Sequence, residues 1–335
     1  MVQLLSFNES GFQFAWDSTS LSSFVTCPRK YYYSILQGWT SELRSVHLIF
    51  GGHYATALEH YHKFRALGRD HDAALQDVVR EAMVNTWDYD IITREEFEKT
   101  NDKTAYFVRE RDHKEEVCVK DTGKAGDWLH TSKTRDTLIR SIVWYLEEFR
   151  EDPMKTVILS DGRAAVEYSF SIDLTDEYVY CGHIDRLVTY GDGNDIYVQD
   201  QKTTGSQITP RFFEGYSPDY QMTGYTWAGQ IIFNMPVKGV VLDAAYIAVG
   251  FTAFGRQPIT RSDRQLEEFR EEVLHYIDLA KHCHETGYYP MNRTACGNYG
   301  GCEFRRICSA VPGIRNNLLQ GNFKKRDRWD PLARR

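Results

Sequence analysis

Two segments of the chain, Cys181-Gly-His-Ile-Asp185-Arg and Ile196-Tyr-Val-Gln-Asp200-Gln-Lys202, carry a pair of carboxylates and an ammonium at strand-like spacing. Side chains two apart on a strand share a face, so Asp200 and Lys202 project together. If the segments pair as a hairpin, Asp185 lies beside Asp200. Two carboxylates and the peptide carbonyl of Gln201 make a hard oxygen set suited to Mg2+ or Mn2+. Phosphodiester hydrolysis uses such a set: the ion polarises a phosphoryl oxygen, activates water and stabilises the leaving oxygen. Lys202 would neutralise the scissile phosphate or orient the water. A D-x-K triplet alone is a weak signal, equally consistent with strand-end turn residues and a solvated lysine. The apolar strand before it and the Gly-His-Ile-Asp hairpin partner strengthen it.

Gln221 and Tyr225 lie four apart on a predicted helix and share a face. Their amide and hydroxyl suit the positioning of a phosphate or a metal-bound water, and helix capping with core packing is the plainer alternative. Cys296, Cys302 and Cys308 form a C-x5-C-x5-C run in a Gly-rich stretch, and Cys27 before Pro28 is a natural fourth thiol. The total of seven cysteines is odd, which argues against a disulfide framework. Four thiolates suit either a structural Zn2+ or an iron–sulfur cluster, and spacing does not choose between them. Cys118, Cys181 and Cys283 read as ordinary free thiols.

These residues need elements to hold them. Asp17 should cap a short helix that breaks near Pro28. Helices are predicted over 53–65, 73–87, 131–149, 217–233 and 262–285, from apolar residues at helical spacing. The period then changes to two over 164–174, 177–190 and 195–201, three successive strands, and 237–250 is apolar and β-like. Residues 90–128 are highly charged and weakly periodic, as in an insertion, lid or connector. The fold class is α/β, a mixed central sheet flanked by helices.

At this point the chain resembles the RecB-like branch of the PD-(D/E)XK nuclease superfamily. Motif order carries the resemblance over roughly residues 18–310: Gly182-x-x-Asp185, Asp200-x-Lys202, then Gln221-x-x-x-Tyr225. It implies a restriction-endonuclease-like core with Asp185 and Asp200 as metal ligands and Lys202 as catalytic lysine. Glu167 on the preceding strand matches a further acidic position, and Gln221 and Tyr225 join the site. The family places a metal-ligating His after a Phe-Gly and shortly before Ala-Leu-Glu. Here Phe50-Gly51 and Ala57-Leu58-Glu59 stand, but the His slot holds Ala55. His53, two residues earlier, is about 200° around a helix from that direction. His53 or Glu59 completes the ligand set. Iron–sulfur members, AddB-type, CRISPR-associated or phage-exonuclease-like, have one N-terminal and three C-terminal cysteines, so the resemblance favours a 4Fe–4S cluster on Cys27, Cys296, Cys302 and Cys308, with Zn2+ as the alternative.

The organisation expected is an N-terminal segment over 1–50, a helical region over 51–150, a nuclease core over 151–290, a cluster segment over 291–312 and a basic tail over 313–335. The activity implied is a DNA exonuclease favouring single strands. A catalytically weak DNA-binding or assembly subunit is the alternative, raised by Ala55. DNA is the partner; Arg29, Lys30 and Tyr31, and Lys324, Lys325 and Arg326 of the tail, are candidate contacts. The net charge of −7 does not exclude this, because DNA feels the groove rather than the sum. No G-x-x-x-x-G-K-[ST] loop occurs, so the expectation is a nuclease that stands alone or works with a separate helicase or a recombination or adaptation protein. No membrane-spanning run or leader-like segment is seen, so the expectation is a cytoplasmic protein of a bacterium or phage-infected cell.

Overall fold

The computed structural model describes residues 6–333 except 42–44, 87–88, 93–94, 96–97, 100–105, 112–113, 121–131, 192 and 194, and only the backbone of 89–92, 106–111, 114–120 and 299–300. Trp128 at the end of the charged segment, the Cys118 side chain, and Arg334 and Arg335 of the tail lie outside the described residues. Two compact units emerge. The first comprises Met1–Arg44, Asp152–Ala245 and Phe254–Arg335; the second comprises Ser45–Glu151 and Tyr246–Ala253.

The strands, in chain order, are β1 (Ala15–Trp16), β2 (Trp39–Ser41), β3 (Tyr89–Ile92), β4 (Tyr106–Arg111), β5 (Lys114–Lys120), β6 (Lys155–Thr156), β7 (Val166–Asp173), β8 (Val179–Tyr190), β9 (Asp195–Thr204), β10 (Val237–Ile247), β11 (Thr252–Thr260) and β12 (Phe323–Lys325). The central sheet runs β1-β8-β9-β10-β11, with β6 and β7 also paired to β8. β1 joins β8 in parallel, whereas β6, β7 and β9 join it antiparallel, so the sheet is mixed. The three-strand meander read from the sequence is present. β11, within 251–261, has no predicted counterpart, because Gly255, Arg256, Gln257 and Pro258 interrupt any simple alternation.

One helix, Tyr220–Phe233, fixes the geometry of the site. Asp219 caps it, accepting from the amides of Gln221 at 2.8 Å and Met222 at 3.0 Å. Such a cap satisfies amides that the helix itself leaves unbonded. Met222, Tyr225 and Ala228 bury one face in a core shared with Tyr180, Phe269 and Val273. A Cβ on Gly224 would stand 2.0 Å from the Tyr180 hydroxyl and 3.1 Å from the Phe269 ring. Gly224→Ala is therefore expected to cost about 1–3 kcal/mol by overpacking, read as a lower urea midpoint at unchanged m-value. A wild-type midpoint would mean that this helix packs less tightly on β8 than described.

In the second unit the helices Val46–Ala66, His71–Asn85 and Arg135–Glu148 pack together. β5 lies between β3 and β4, antiparallel to both. The charged stretch thus contributes strands, a structure its charges concealed. The first helix starts at Val46 and runs through Gly51 and Gly52, seven residues before the predicted start at 53. Phe50 and Tyr54, one turn apart and both buried, extend the apolar stripe backward and offset the cost of two glycines. Arg140 ties Tyr246–Ala253 to this unit, donating to the carbonyls of Ala248 and Val249 at 2.7 Å and of Phe251 at 3.2 Å. Among the described residues no helix is long and apolar enough to cross a membrane.

Candidate active site

β8 and β9 stay paired from Tyr190↔Asp195 to Arg186↔Gln199, where their pairing ends. Asp185 and Asp200 are the next residues on each strand, at the point where the two strands part. The Asp185 Oδ2 atom accepts from the Gln201 amide at 3.1 Å. A strand residue directs its N–H and C=O to the same edge, so the Gln201 carbonyl faces Asp185 as well. Asp200 is 1% exposed. Its Oδ2 meets the Lys202 ammonium at 2.5 Å. Lys202 Nζ also donates to Gln221 Oε1 at 3.0 Å, and Gln221 Nε2 donates to the Tyr225 hydroxyl at 3.0 Å. Strand period two and helix period four thus bring Asp200, Lys202, Gln221 and Tyr225 into one chain of polar contacts, with Asp185 beside it.

Glu167 stands across the other edge of β8. Val166 pairs with Arg186 and Tyr168 with Ile184, leaving Glu167 opposite Asp185 and outside the ladder. Its φ of 48° is a left-handed conformation that non-glycine residues rarely hold. Strain of this kind costs about 1–3 kcal/mol and gathers at functional sites. The Glu167 charge acts on Asp185 and raises its proton affinity.

Burial first, and then the Asp200 charge, push the Asp185 carboxyl up to about 7. Asp200 is also raised, by burial, against the pull of Lys202. Burial works against the charge on Lys202, but Asp200 and Asp185 outweigh it and hold its pKa above the usual lysine value. The Asp185 and Asp200 carboxyls share the Lys202 ammonium, and the Glu167 charge adds to the negative field at Asp185. The residues therefore fit a divalent cation, which Asp185, Asp200 and the Gln201 carbonyl would hold.

The raised Asp185 carboxyl has a consequence for stability. The native state binds more protons than the unfolded chain between about pH 4 and about pH 7, so this carboxyl's contribution to stability is lost as pH rises through that window. The full difference is about 4 kcal/mol, and partial solvent contact of the side chain and its coupling to Asp200 reduce the expected effect to about 1–2 kcal/mol. Asp185→Asn should flatten the slope, as measured by melts from pH 4 to 8 in chelator. Parallel wild-type and variant curves would contradict the assignment.

The other candidate ligands belong to the second unit. His53 is half-buried, and burial lowers its pKa. Glu59 forms an ion pair with Lys63. Six residues separate them on one helix, about 120° around its axis, so the helix can aim only one of them at a given point. The same unit groups His71, Asp72 and Glu147 with ligand atoms within 4.8 Å of one another. There the Arg150 guanidinium already bonds Asp72 at 2.9 Å and Glu147 at 3.0 Å, supplying the positive charge.

In the first unit, Cys27 accepts from the Asn292 amide at 3.3 Å, and the Cys302 amide donates to the Cys296 carbonyl at 3.1 Å. Cys27, Cys296, Cys302 and Cys308 are all free thiols. Burial raises the pKa of Cys302 and of Cys308; Cys302 also feels Cys27 and Cys296, while Cys308 feels Cys27 and Cys302. Lys30 acts on Cys302, and Arg29 and Arg315 on Cys308, each in the opposite sense. Cys27, Cys296, Cys302 and Cys308 thus supply thiols of a type that suits a thiophilic metal, although among the described residues no three of these sulfurs lie within 4.8 Å of one another.

The proposed DNA contacts divide. Tyr31 is 0% exposed and stacks on Trp16 at 5.5 Å, with its hydroxyl donating to Gln13 Oε1 at 2.9 Å. This corrects its reading as a base-stacking residue: the ring is core, because both faces are already covered. Arg29 donates to the Tyr289 carbonyl at 2.7 Å, and Lys30 is only part-buried. Lys324, Lys325 and Arg326 are exposed; β12 pairs antiparallel with β2, Lys325 lies over Trp39 and Arg326 over Trp329.

Sequence reasoning passed over Asp219, which caps the Gln221 helix and whose charge reaches Asp200. It also missed Gln199 and Asp243, buried polar residues inside apolar strands. An aspartate within Val240-Val-Leu-Asp243-Ala-Ala was the available signal, since buried carboxylates need partners.

A family model described as the PD-(D/E)XK nuclease superfamily matches residues 16–309. No curated protein sequence matches the chain. A solved structure from Eubacterium rectale, provisionally described as an exonuclease, aligns over 88% of this chain and 88% of its own at 11% identity and a TM-score of 0.43. Another, SSO0001, covers 42% of this chain and 66% of its own at 13% identity and a TM-score of 0.24. At those scores neither likeness extends to activity. The family match spans most of the sequence and takes in Gly182, Asp185, Asp200, Lys202, Gln221 and Tyr225, and the chain belongs to the PD-(D/E)XK nuclease superfamily.

Proposed function

We propose that the protein is a Mg2+- or Mn2+-dependent deoxyribonuclease, an exonuclease favouring single-stranded DNA, that carries a structural 4Fe–4S cluster on Cys27, Cys296, Cys302 and Cys308. The observation that carries the hydrolytic reading is the buried Asp200 carboxylate, next to Asp185 where the β8–β9 ladder ends and with the Lys202 ammonium 2.5 Å away. When bound, the divalent ion supplies Lewis acidity at the scissile phosphate and a water of lowered pKa. Asp185, Asp200 and the Gln201 carbonyl would hold it. Lys202, steadied by Asp200 and Gln221, presents its ammonium to the phosphate and offsets charge as the bond breaks. Tyr225 fixes Gln221, so the lysine keeps one direction. The preference for exonuclease action and single strands rests on the RecB-like resemblance, as do the cluster type and a separate motor or recombination partner.

Ala55, in the slot where the family carries its helical His, favours a second reading: a DNA-binding subunit that keeps the fold with little hydrolysis. Anaerobically purified protein is incubated with end-labelled single- and double-stranded DNA and RNA, with Mn2+ or with chelator. Metal-dependent shortening of single-stranded DNA supports the nuclease reading. Tight DNA binding without hydrolysis selects the alternative, and preferential loss of RNA overturns the DNA assignment.

A further inference from the structure

The residues that follow Asp185 and precede Asp200 point to the opposite layer of the sheet, and there they meet. Arg186 and Gln199 are direct partners in the β8–β9 ladder. Arg186 Nη1 donates to Gln199 Oε1 at 2.9 Å, and Gln199 Nε2 donates to Asp243 Oδ2 on β10 at 2.5 Å. Asp243 Oδ2 also accepts from Arg256 Nε on β11 at 2.9 Å. Arg256 grips both oxygens of Asp152, at 2.8 and 3.2 Å, and Asp152 faces back to Arg186 at 3.7 Å. The circuit closes through two guanidiniums, two carboxylates and one amide. Arg186, Gln199 and Asp243 are 4%, 0% and 2% exposed. Two further bonds, from Arg186 to Thr156 Oγ1 at 2.9 Å and to the Met154 carbonyl at 3.1 Å, fix that guanidinium in place.

We infer that this buried ring is the positioning device for the metal-binding carboxylates: it locks β8 against β9 in the one register that sets Asp185 beside Asp200. The inference rests on the nuclease reading for its catalytic consequence, but the register itself does not. A strand slip of one residue exchanges the two faces. Applied to β9, it would turn Gln199 away from Arg186 and Asp243 and drive Asp200 and Lys202 into the layer now filled by the ring, away from Asp185. Arg186 and Asp243 would then lose the amide that joins them in a water-poor interior, where unpaired charges are costly. Register matters most at this place, because the backbone ladder between β8 and β9 stops at Arg186↔Gln199. Beyond that pair, among the described residues, the Gln201 amide bond to Asp185 spans the two strands at the carboxylates. The ring therefore does from behind what main-chain pairing no longer does in front. Gln199 is its pivot, because one amide serves as acceptor for β8 and donor for β10 at once.

The test is Gln199→Leu in the full-length protein, which keeps side-chain bulk and removes both hydrogen bonds. Three quantities are compared with wild type: Mn2+ affinity by electron paramagnetic resonance, hydrogen exchange of peptides covering 185–201, and the steady-state constants for DNA cleavage. The expected result is a folded variant with about tenfold weaker Mn2+ binding and faster exchange confined to 185–201. A kcat lowered about tenfold at nearly constant KM should accompany it, with higher Mn2+ restoring part of the rate. Should Gln199→Leu not fold, Arg256→Lys, which keeps the charge but not the fork, is read by the same three measurements. A folded variant with wild-type Mn2+ affinity and wild-type exchange overturns the inference, as does lowered stability with all three quantities unchanged. If wild-type protein itself shows no metal-dependent cleavage, the nuclease reading fails, and exchange at 185–201 still decides the register claim.

Discussion

Asp200→Ala is expected to lower metal-dependent DNA cleavage by about 10³-fold or more while leaving the circular dichroism spectrum unchanged. The estimate follows from the several kcal/mol that an ion contributes to stabilising a phosphoryl transition state, at about 1.4 kcal/mol per decade of rate. Asp200 is the residue to remove because its carboxylate is buried and meets the Lys202 ammonium at 2.5 Å. The loss should not come from unfolding. Burial raises the pKa of this carboxyl, so its charged form opposes folding, and alanine relieves that opposition at neutral pH. Such a trade of stability for activity is common at sites built to bind charge. Cleavage by Asp200→Ala at even a tenth of the wild-type rate would remove Asp200 from the chemistry.

Cys308→Ser is expected to have the largest effect on the folded state. Under the proposed cluster, Cys27 is joined to Cys296, Cys302 and Cys308 across most of the sequence. Structural metal sites contribute apparent free energies on the order of 10 kcal/mol, comparable with the whole stability of a domain. The variant should lose the broad visible absorption of an iron–sulfur protein and melt far below wild type, with much of it insoluble. Metal analysis separates the alternatives: iron with acid-labile sulfide supports the cluster, and stoichiometric zinc replaces it with a zinc site. A wild-type protein with neither metal, matched in melting temperature by Cys308→Ser, would end the structural-metal proposal.

The parts of the chain that sequence reading reached are those where one face is apolar and the other is not. β7, β8 and β9 alternate, so their existence and the shared face of Asp200 and Lys202 could be read directly. The Gln221–Tyr225 pair followed from helical spacing. What stayed hidden depended on tertiary partners. Glu167 matched a family acidic position, but nothing local announces its left-handed backbone, which only the ladder beside it imposes. Arg186 and Gln199 sit next to the residues that drew attention, yet their role exists only through Asp243, Arg256 and Asp152 on other elements. Tyr31 looked available because tyrosines beside cations often are, and Trp16 covers it from a distant turn of chain. The strands within 90–120 carry so many charges that no period stands out.

The discontinuity of the first unit bears on how the chain is made. β2 finds its partner in β12, about 280 residues later, which at ribosomal speeds of about 5–20 residues per second is a delay on the order of 15–60 s. Until β8 (Val179–Tyr190) emerges to pair with β1, Trp16, Leu21 and Phe24, which end in the core, lack the sheet that covers them. The intervening Ser45–Glu151 emerges as one continuous stretch and can collapse on its own contacts first. Those apolar side chains thus wait for β8, and pauses between Ser45 and Tyr190 would lengthen their exposure.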